Sequence, residues 1–273
     1  MTYLVVMVAG MSSRFGGKPK QMAKVGPNGE TLIEYSINQA IKNPFSKIIF
    51  ITNILTEKLF IDIFKNKYNN IPVDYIQQKY DKDKRIRPWG TADAVSSLYP
   101  YFLNKNDNVK NLILINGDDI YGENTFLEGY TLLNDFSNNN SIIGGLLVKD
   151  TMPDSGTVNR GIISIDNNFV INIEEKLNIS IDNNPELMNQ LANVNFIGLQ
   201  FEDLKNLNTI NEIFKQKNKS DKKIESNLTT HLSTLIKNNL TKIKYFFIRD
   251  KILGLTNPDD ENILKNILSI TTK

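Results

Sequence analysis

An α/β fold with a mostly parallel sheet is what this sequence predicts. Three observations predict it. Short apolar runs alternate with helical patterns through roughly the first 150 residues, that alternation weakens afterwards, and a chain of 273 residues is long enough to bury a substantial core. YLVVMVA at 3–9, KIIFIT at 47–52, VDYIQ at 73–77, LILIN at 112–116 and IIGGLLV at 142–148 read as strands. Helical patterns fall near 31–42, 56–68, 91–103 and 124–136. The first of these carries Ile33, Ile37, Ala40 and Ile41 at helical spacing, so one face can cover the sheet. GIISIDNNFVINIEE reads as a hairpin turning at Asn167 and Asn168, and VNFIGLQF at 194–201 as a further strand. KQKNKSDKK at 215–223 reads as a solvated connection, followed by a helix near 225–237, a strand at 242–248 and a last helix after Pro258. With no internal repeat and no break in composition, residues 1–273 are expected to form one elaborated domain.

Composition removes several function classes. The net charge is +2, from 32 basic and 30 acidic residues, so no global basic field favours nucleic acid. Any anion must be recognised locally. Without cysteine there are no disulfides or thiolate sites, and the single histidine, His231, cannot build a histidine-rich metal site. The first apolar run is too short to span a bilayer and lacks the basic start of a signal peptide, so the expected location is cytoplasmic, with no membrane partner. His231 sits beside Leu232 in a helical pattern and reads as structural.

Directly after the first strand comes AGMSSRFGGKPKQ, 9–21. A loop leaving the carboxyl end of a parallel strand is where open α/β sheets bind ligands. Gly10, Gly16 and Gly17 let backbone N–H groups approach an anion, and Arg14, Lys18 and Lys20 can add charge-assisted bonds. A polyphosphate and a basic surface turn fit these residues equally well. The dinucleotide fingerprint G-x-G-x-x-G is absent, because Met11 and Ser12 follow Gly10. The Walker loop is absent too, since Gly17-Lys18 runs into Pro19.

From these residues onward the chain resembles the nucleotidyltransferases that join a nucleoside triphosphate to a sugar 1-phosphate. VVMVAGMSSRFGGKPKQMAKVGPNGETLIEYSI carries the likeness, closest to a bacterial branch whose loop ends in Lys-Gln and continues into VGPNGE. RPWGTADAV at 87–95, LINGDDIYG at 114–122, VNRGIISID at 158–166, INIEEK at 171–176, VNFIGLQF and ILGLTNPDD follow in the family's order. The resemblance implies a three-layer, Rossmann-like, GT-A-like fold, with a nucleotide-binding half over about 1–150 and a β-rich sugar-binding half over about 151–273. It also implies an in-line displacement at the α-phosphorus with pyrophosphate leaving. A phosphate monoester is already ionised near neutral pH, so this reaction needs charge neutralisation and positioning rather than a base.

By this resemblance Arg14 would hold the β- and γ-phosphates and Lys20 would bridge the α-phosphate and the sugar phosphate, with Lys18 a competitor for that role. Asp118 matches the Mg²⁺ ligand, with Asp119 beside it in the loop. The second ligand would come from the GLTNPDD segment, where Thr256, Asn257 and Asp259 are candidates and Thr256 holds the matching position. Ala9, Gly10 and Met11 fall in the nucleotide loop. Pro88, Gly90 and Thr91 would form the nucleobase wall, with Thr91 capping the helix that follows. Trp89 either stacks or joins the core. Gln77 or Gln78 can offer an amide to the imide edge of uracil or thymine, and strand alternation lets only one face the site; Gln78 matches the family better. LysTyrAspLysAspLysArgIleArg at 79–87 reads as a solvated loop. Gly161, Glu175, Lys176 and Asn195 match sugar-site positions, with Lys176 reaching the phosphate. The implied substrates are an NTP, UTP favoured over dTTP, and a hexose 1-phosphate. A glycosyltransferase of similar architecture is the competing enzyme, though its usual Asp-x-Asp is replaced here by adjacent acids. A regulatory, non-catalytic subunit is the competing non-enzyme.

Overall fold

The computed structural model describes residues 1–10, 19–135, 137, 139–153, 156–255 and 260–271. Its strands are β1 (Thr2–Met7), β2 (Lys47–Thr52), β3 (Lys67–Tyr68), β4 (Ile71–Gln77), β5 (Asn111–Asn116), β6 (Asp119–Ile120), β7 (Ser141–Leu147), β8 (Val158–Asp166), β9 (Phe169–Ile179), β10 (Leu191–Gln200), β11 (Ile243–Phe247) and β12 (Leu253–Gly254). Its helices are α1 (Leu32–Ala40), α2 (Glu57–Phe64), α3 (Thr91–Ser96), α4 (Leu98–Lys105), α5 (Glu123–Leu133), α6 (Phe201–Lys217), α7 (Leu228–Lys237) and α8 (Asp260–Thr271).

Ten strands form one sheet in the order β3-β4-β2-β1-β5-β10-β7-β11-β9-β8, and β8 also pairs with β10. Strands β4, β2, β1 and β5 are parallel, as βαβ crossovers require. The expectation of a mostly parallel sheet is nevertheless corrected: the sheet is mixed. Beyond β5 the pairings are antiparallel, apart from β7 with β11, and β10, β7, β11, β9 and β8 close into a five-stranded ring. One of these antiparallel pairs, β8 with β9, is a tight hairpin. Its turn at Asn167 and Asn168 holds both residues at positive φ, 48° and 66°, which suits a two-residue turn between twisted strands.

Alternation along the strands sends side chains into two separate cores. Tyr3, Val5, Ile49 and Ile51 pack with α3, α4, α6 and α7, whereas Leu4, Val6, Ile48 and Phe50 pack with α1, α2 and α5. Both sheet faces are thus covered, which explains why these strands read as continuous apolar runs. Strand β10 serves both regions. Its Ile197–Gln200 end pairs with β5, its Leu191–Ala192 end pairs with β8, and a bulge lies between Asn193 and Phe196. Among the described residues no helix is long and apolar enough to cross a membrane.

Candidate active site

The parallel strands end on one edge, and the candidate groups of the first region gather there. After β5, Gly117 lets the chain pass against β1: a Cβ at this position would stand 2.3 Å from Val8 Cγ1. Asp118 and Asp119 follow. The clip formed by β6 and β12 pairs Asp119 with Gly254 and so returns the C-terminal segment to the same place. Lys20 opens a 3-10 turn, Lys20–Met22. Its ammonium donates to the Leu255 carbonyl at 2.9 Å and lies 3.9 Å from Asp118 Oδ2.

Crowding two acids in a recess disfavours their charged forms. Burial raises the Asp118 carboxyl above its ordinary value, opposed by Lys20. Burial, with repulsion from Asp118, pushes Asp119 up to about 7. Asn116 Nδ2 donates to Asp119 Oδ2 at 2.9 Å, leaving Asp118 as the acid nearer the lysine. Positive charge nearby offsets that cost, as Lys20 does for Asp118.

Lys20, Thr91, Asp118, Asp119, Gly161, Glu175 and Asn195 line one cleft of about 860 Å³, a size typical of small-molecule sites. Its far wall belongs to the ring. Gly161 faces Glu175 across the β8–β9 hairpin, and a Cβ there would come within 3.0 Å of Ile173 Cγ2 and 3.2 Å of Thr229 Cγ2. Thr229 Oγ1, on α7, donates to Glu175 Oε1. Asn195 sits in the β10 bulge at φ 59°, with its N–H and its Oδ1 both bonded to the Asn193 side chain at 2.9 Å. Left-handed backbone is tolerated by asparagine, so the bulge and the residue type explain each other.

Other expected site residues are placed differently. Lys176 is not among the lining residues; its Nζ donates to Glu174 Oε1 at 2.5 Å. Thr91 lines the cleft, but it is the first residue of α3 rather than its cap. Gly90 holds the N-cap position, and the Thr91 hydroxyl accepts from the Leu228 N–H at 3.0 Å, at the start of α7. Ala9, Gly10, Gln78, Pro88 and Gly90 stand off the cleft lining. The Ala9 carbonyl accepts from Asn53 Nδ2 at 2.9 Å, and a Cβ on Gly10 would meet nothing within 4 Å. Gly90 has φ 109°, and a Cβ on it would lie 2.7 Å from the Ser226 carbonyl oxygen. Pro88 is half-buried beside Trp89, whose ring packs on Phe214 and under the Arg85 guanidinium at 3.5 Å. Met11, Arg14, Lys18, Thr256, Asn257 and Asp259 lie outside the described residues.

The two glutamines take different partners. Gln77 Nε2 donates to Glu57 on α2, whereas Gln78 Nε2 donates to the Gly90 carbonyl at 2.8 Å and toward Asp93 at 3.5 Å. Behind them runs a buried network: Asn211 and Lys215 donate to Asp93, Ser226 donates to Asn211, and Ser226 meets His231 Nε2 at 2.8 Å. His231 is structural, and burial lowers its pKa. Arg160 was missed in the sequence although it adjoins Gly161. It lines the cleft, and strand alternation gave no signal for it, since its register partner Lys176 does not line it.

The chain matches the nucleotidyl transferase family over residues 5–180. No curated protein matches it. Its fold is shared with solved structures across nearly the whole chain. A nucleoside-diphosphate-sugar pyrophosphorylase from Vibrio cholerae is 19% identical, covering 96% of this chain and 99% of that one at a TM-score of 0.68. A UDP-glucose pyrophosphorylase complexed with UDP-glucose is 17% identical, covering 99% of each chain at 0.69. A UTP-bound UGPase from Acinetobacter baumannii is 15% identical, covering 100% and 97% at 0.65.

Proposed function

The chain belongs to the nucleotidyl transferase family, and from that premise we propose that it transfers a nucleoside monophosphate from an NTP to a hexose 1-phosphate, forming an NDP-sugar in the cytoplasm. One observation carries the reading: Lys20 and Asp118 meet at 3.9 Å in a cleft whose opposite wall carries Gly161, Glu175 and Asn195. A cation and an acid at one end suit phosphates, and small polar groups at the other suit hydroxyls.

In the proposed step an oxygen of the sugar phosphate attacks the α-phosphorus. A P–O bond forms as the bond to the β-phosphate oxygen breaks, and pyrophosphate leaves with that electron pair. Lys20 would hold the α-phosphate and the incoming phosphate together, cutting the repulsion between two anions. Arg14 is assigned to the β- and γ-phosphates. No proton is removed in forming the new bond, which accords with the only histidine being buried against Ser226. Glu175 and Asn195 would accept and donate to the sugar hydroxyls, while Gly161 lets the backbone come close.

Asp118 would hold Mg²⁺, and Thr256 is the proposed second ligand. Among the described residues no three acids or histidines gather at one point. That fits an ion held by one or two carboxylates plus phosphate oxygens and water. When bound, the ion neutralises phosphate charge.

UTP is favoured, with dTTP next. The Gln78 amide N–H groups face two acceptors, Gly90 O and Asp93, so Oε1 is left to accept from a base. Uracil and thymine offer N3–H there, and adenine and cytosine carry no ring N–H on that edge. Pyrophosphate release, followed with each NTP against glucose, galactose and mannose 1-phosphates and Mg²⁺, tests the reading. Release requiring both substrates is expected, and none with any pair would sink it.

A further inference from the structure

The β8–β9 hairpin sets two cations opposite each other, and they do different things. Arg160 and Lys176 are direct partners in the register. The Lys176 ammonium is turned to Glu174 outside the cleft, with 41% of its side chain exposed. Arg160 is half-buried and lines the cleft next to Gly161. Its guanidinium is held by neutral groups: Nε donates to Thr151 Oγ1 at 3.1 Å, Nη2 to Thr151 O at 3.0 Å and Nη1 to Asn159 O at 3.1 Å. Among the described residues no carboxylate lies within 4.0 Å of it.

A guanidinium has five N–H donors, and these three bonds leave two. A half-buried cation without an ion pair is costly unless something anionic joins it. The planar fork matches a phosphate, and the 3-10 turn at Val148–Thr151 fixes the plane of that fork through Thr151. Arg160 shares the cleft lining with Lys20, Asp118, Glu175 and Asn195.

We infer that Arg160, and not Lys176, supplies the cation that binds the phosphate of the hexose 1-phosphate, an assignment that rests on the reaction proposed above. It also gives the Arg-Gly pair a joint meaning. Gly161 admits the sugar while its neighbour grips the attached phosphate.

Calorimetric titration tests this with glucose 1-phosphate, galactose 1-phosphate and mannose 1-phosphate as probes, glucose as the unphosphorylated control, and UTP in parallel. The proteins are the wild type, Arg160→Ala, Arg160→Lys and Lys176→Ala. Arg160→Ala should weaken the hexose 1-phosphate by about tenfold or more, the scale of a charged hydrogen-bonded contact, and shift UTP less than about twofold. Arg160→Lys should recover part of the loss, because charge returns without the fork. Lys176→Ala should leave both ligands within about twofold of the wild type. In turnover the same pattern should appear in KM for the sugar phosphate rather than in kcat. Loss in Lys176→Ala with none in Arg160→Ala overturns the assignment. So does an equal loss of both ligands in Arg160→Ala with no recovery in Arg160→Lys, which marks a merely structural arginine. A wild type that takes UTP but no hexose 1-phosphate overturns it while sparing the nucleotide site, and one that binds neither ligand brings down the proposed function itself.

Discussion

The parallel region and the ring deliver residues to the cleft by different means. In β4, β2, β1 and β5 every strand ends on the same edge, so a residue just past a strand reaches the site through topology alone. Asp118 and Asp119 arrive in this way from the end of β5. In the ring, strands run both ways and position depends on pleat, bulge and register, so neighbours diverge: Glu175 faces the cleft and Lys176 leaves it. The difference teaches that strand order locates a site in the first region, whereas single-residue register decides it in the second.

Substitutions can break or sharpen that contrast. The largest effect is expected from Asp118→Ala, which should cut Mg²⁺-dependent pyrophosphate release by about 1,000-fold or more, read in the coupled assay. Lys20→Ala should lower kcat by about 100-fold with a smaller change in KM, since its charge counts most in the transition state. Next comes Gly90→Ala, where positive φ and a blocked Cβ should cost about 1–3 kcal/mol in urea unfolding. In the ring, Asn195→Ala should straighten the bulge, cost about 1 kcal/mol, and raise KM for the sugar phosphate. If it weakens UTP as much as the sugar phosphate, the two regions do not divide the labour as proposed.

The smallest effect concerns pH. Burial lowers the His231 pKa, so the unfolded chain takes up a proton below about 6.5 that the folded chain resists. Stability should therefore fall as pH drops through that value, and His231→Asn should flatten the melting temperature between pH 7.5 and 5.5. An unchanged slope would show that the buried network is indifferent to the imidazole.

Much of the fold could be read in advance because strands covered on both faces are apolar throughout, as β1, β2 and β5 are. The hairpin at Asn167 and Asn168 was equally plain, since few residues other than glycine tolerate that turn. The failures share a cause: polar residues buried by distant partners. Helix α6 ends within the run read as a solvated connection, and its packing surface includes the buried amide Asn211 as well as Leu204 and Leu207. In the 79–87 loop, Arg85 is only 3% exposed and donates to the carbonyls of Arg87, Asp221 and Ile224. A charge pattern speaks of solvent, and carbonyls more than 130 positions away leave no trace in it. In the site, motif order placed Lys20, Asp118, Gly161, Glu175 and Asn195 around one cleft. Lys176 turns to Glu174 while its register partner Arg160 lines the cleft, because alternation says which residues share a face but not how a long side chain bends.

Strand β10 carries a consequence for synthesis. It covers the edge of β5, yet it lies more than 70 residues later in the chain. While the protein emerges from the ribosome, β1, β2, β4 and β5 can assemble with their helices long before that cover exists, leaving a row of open amides along β5. A product terminated at residue 190 should therefore precipitate or recruit holdases, whereas one ending after Gln200 should have that border sealed; sedimentation of the two fragments after cell-free translation would tell them apart.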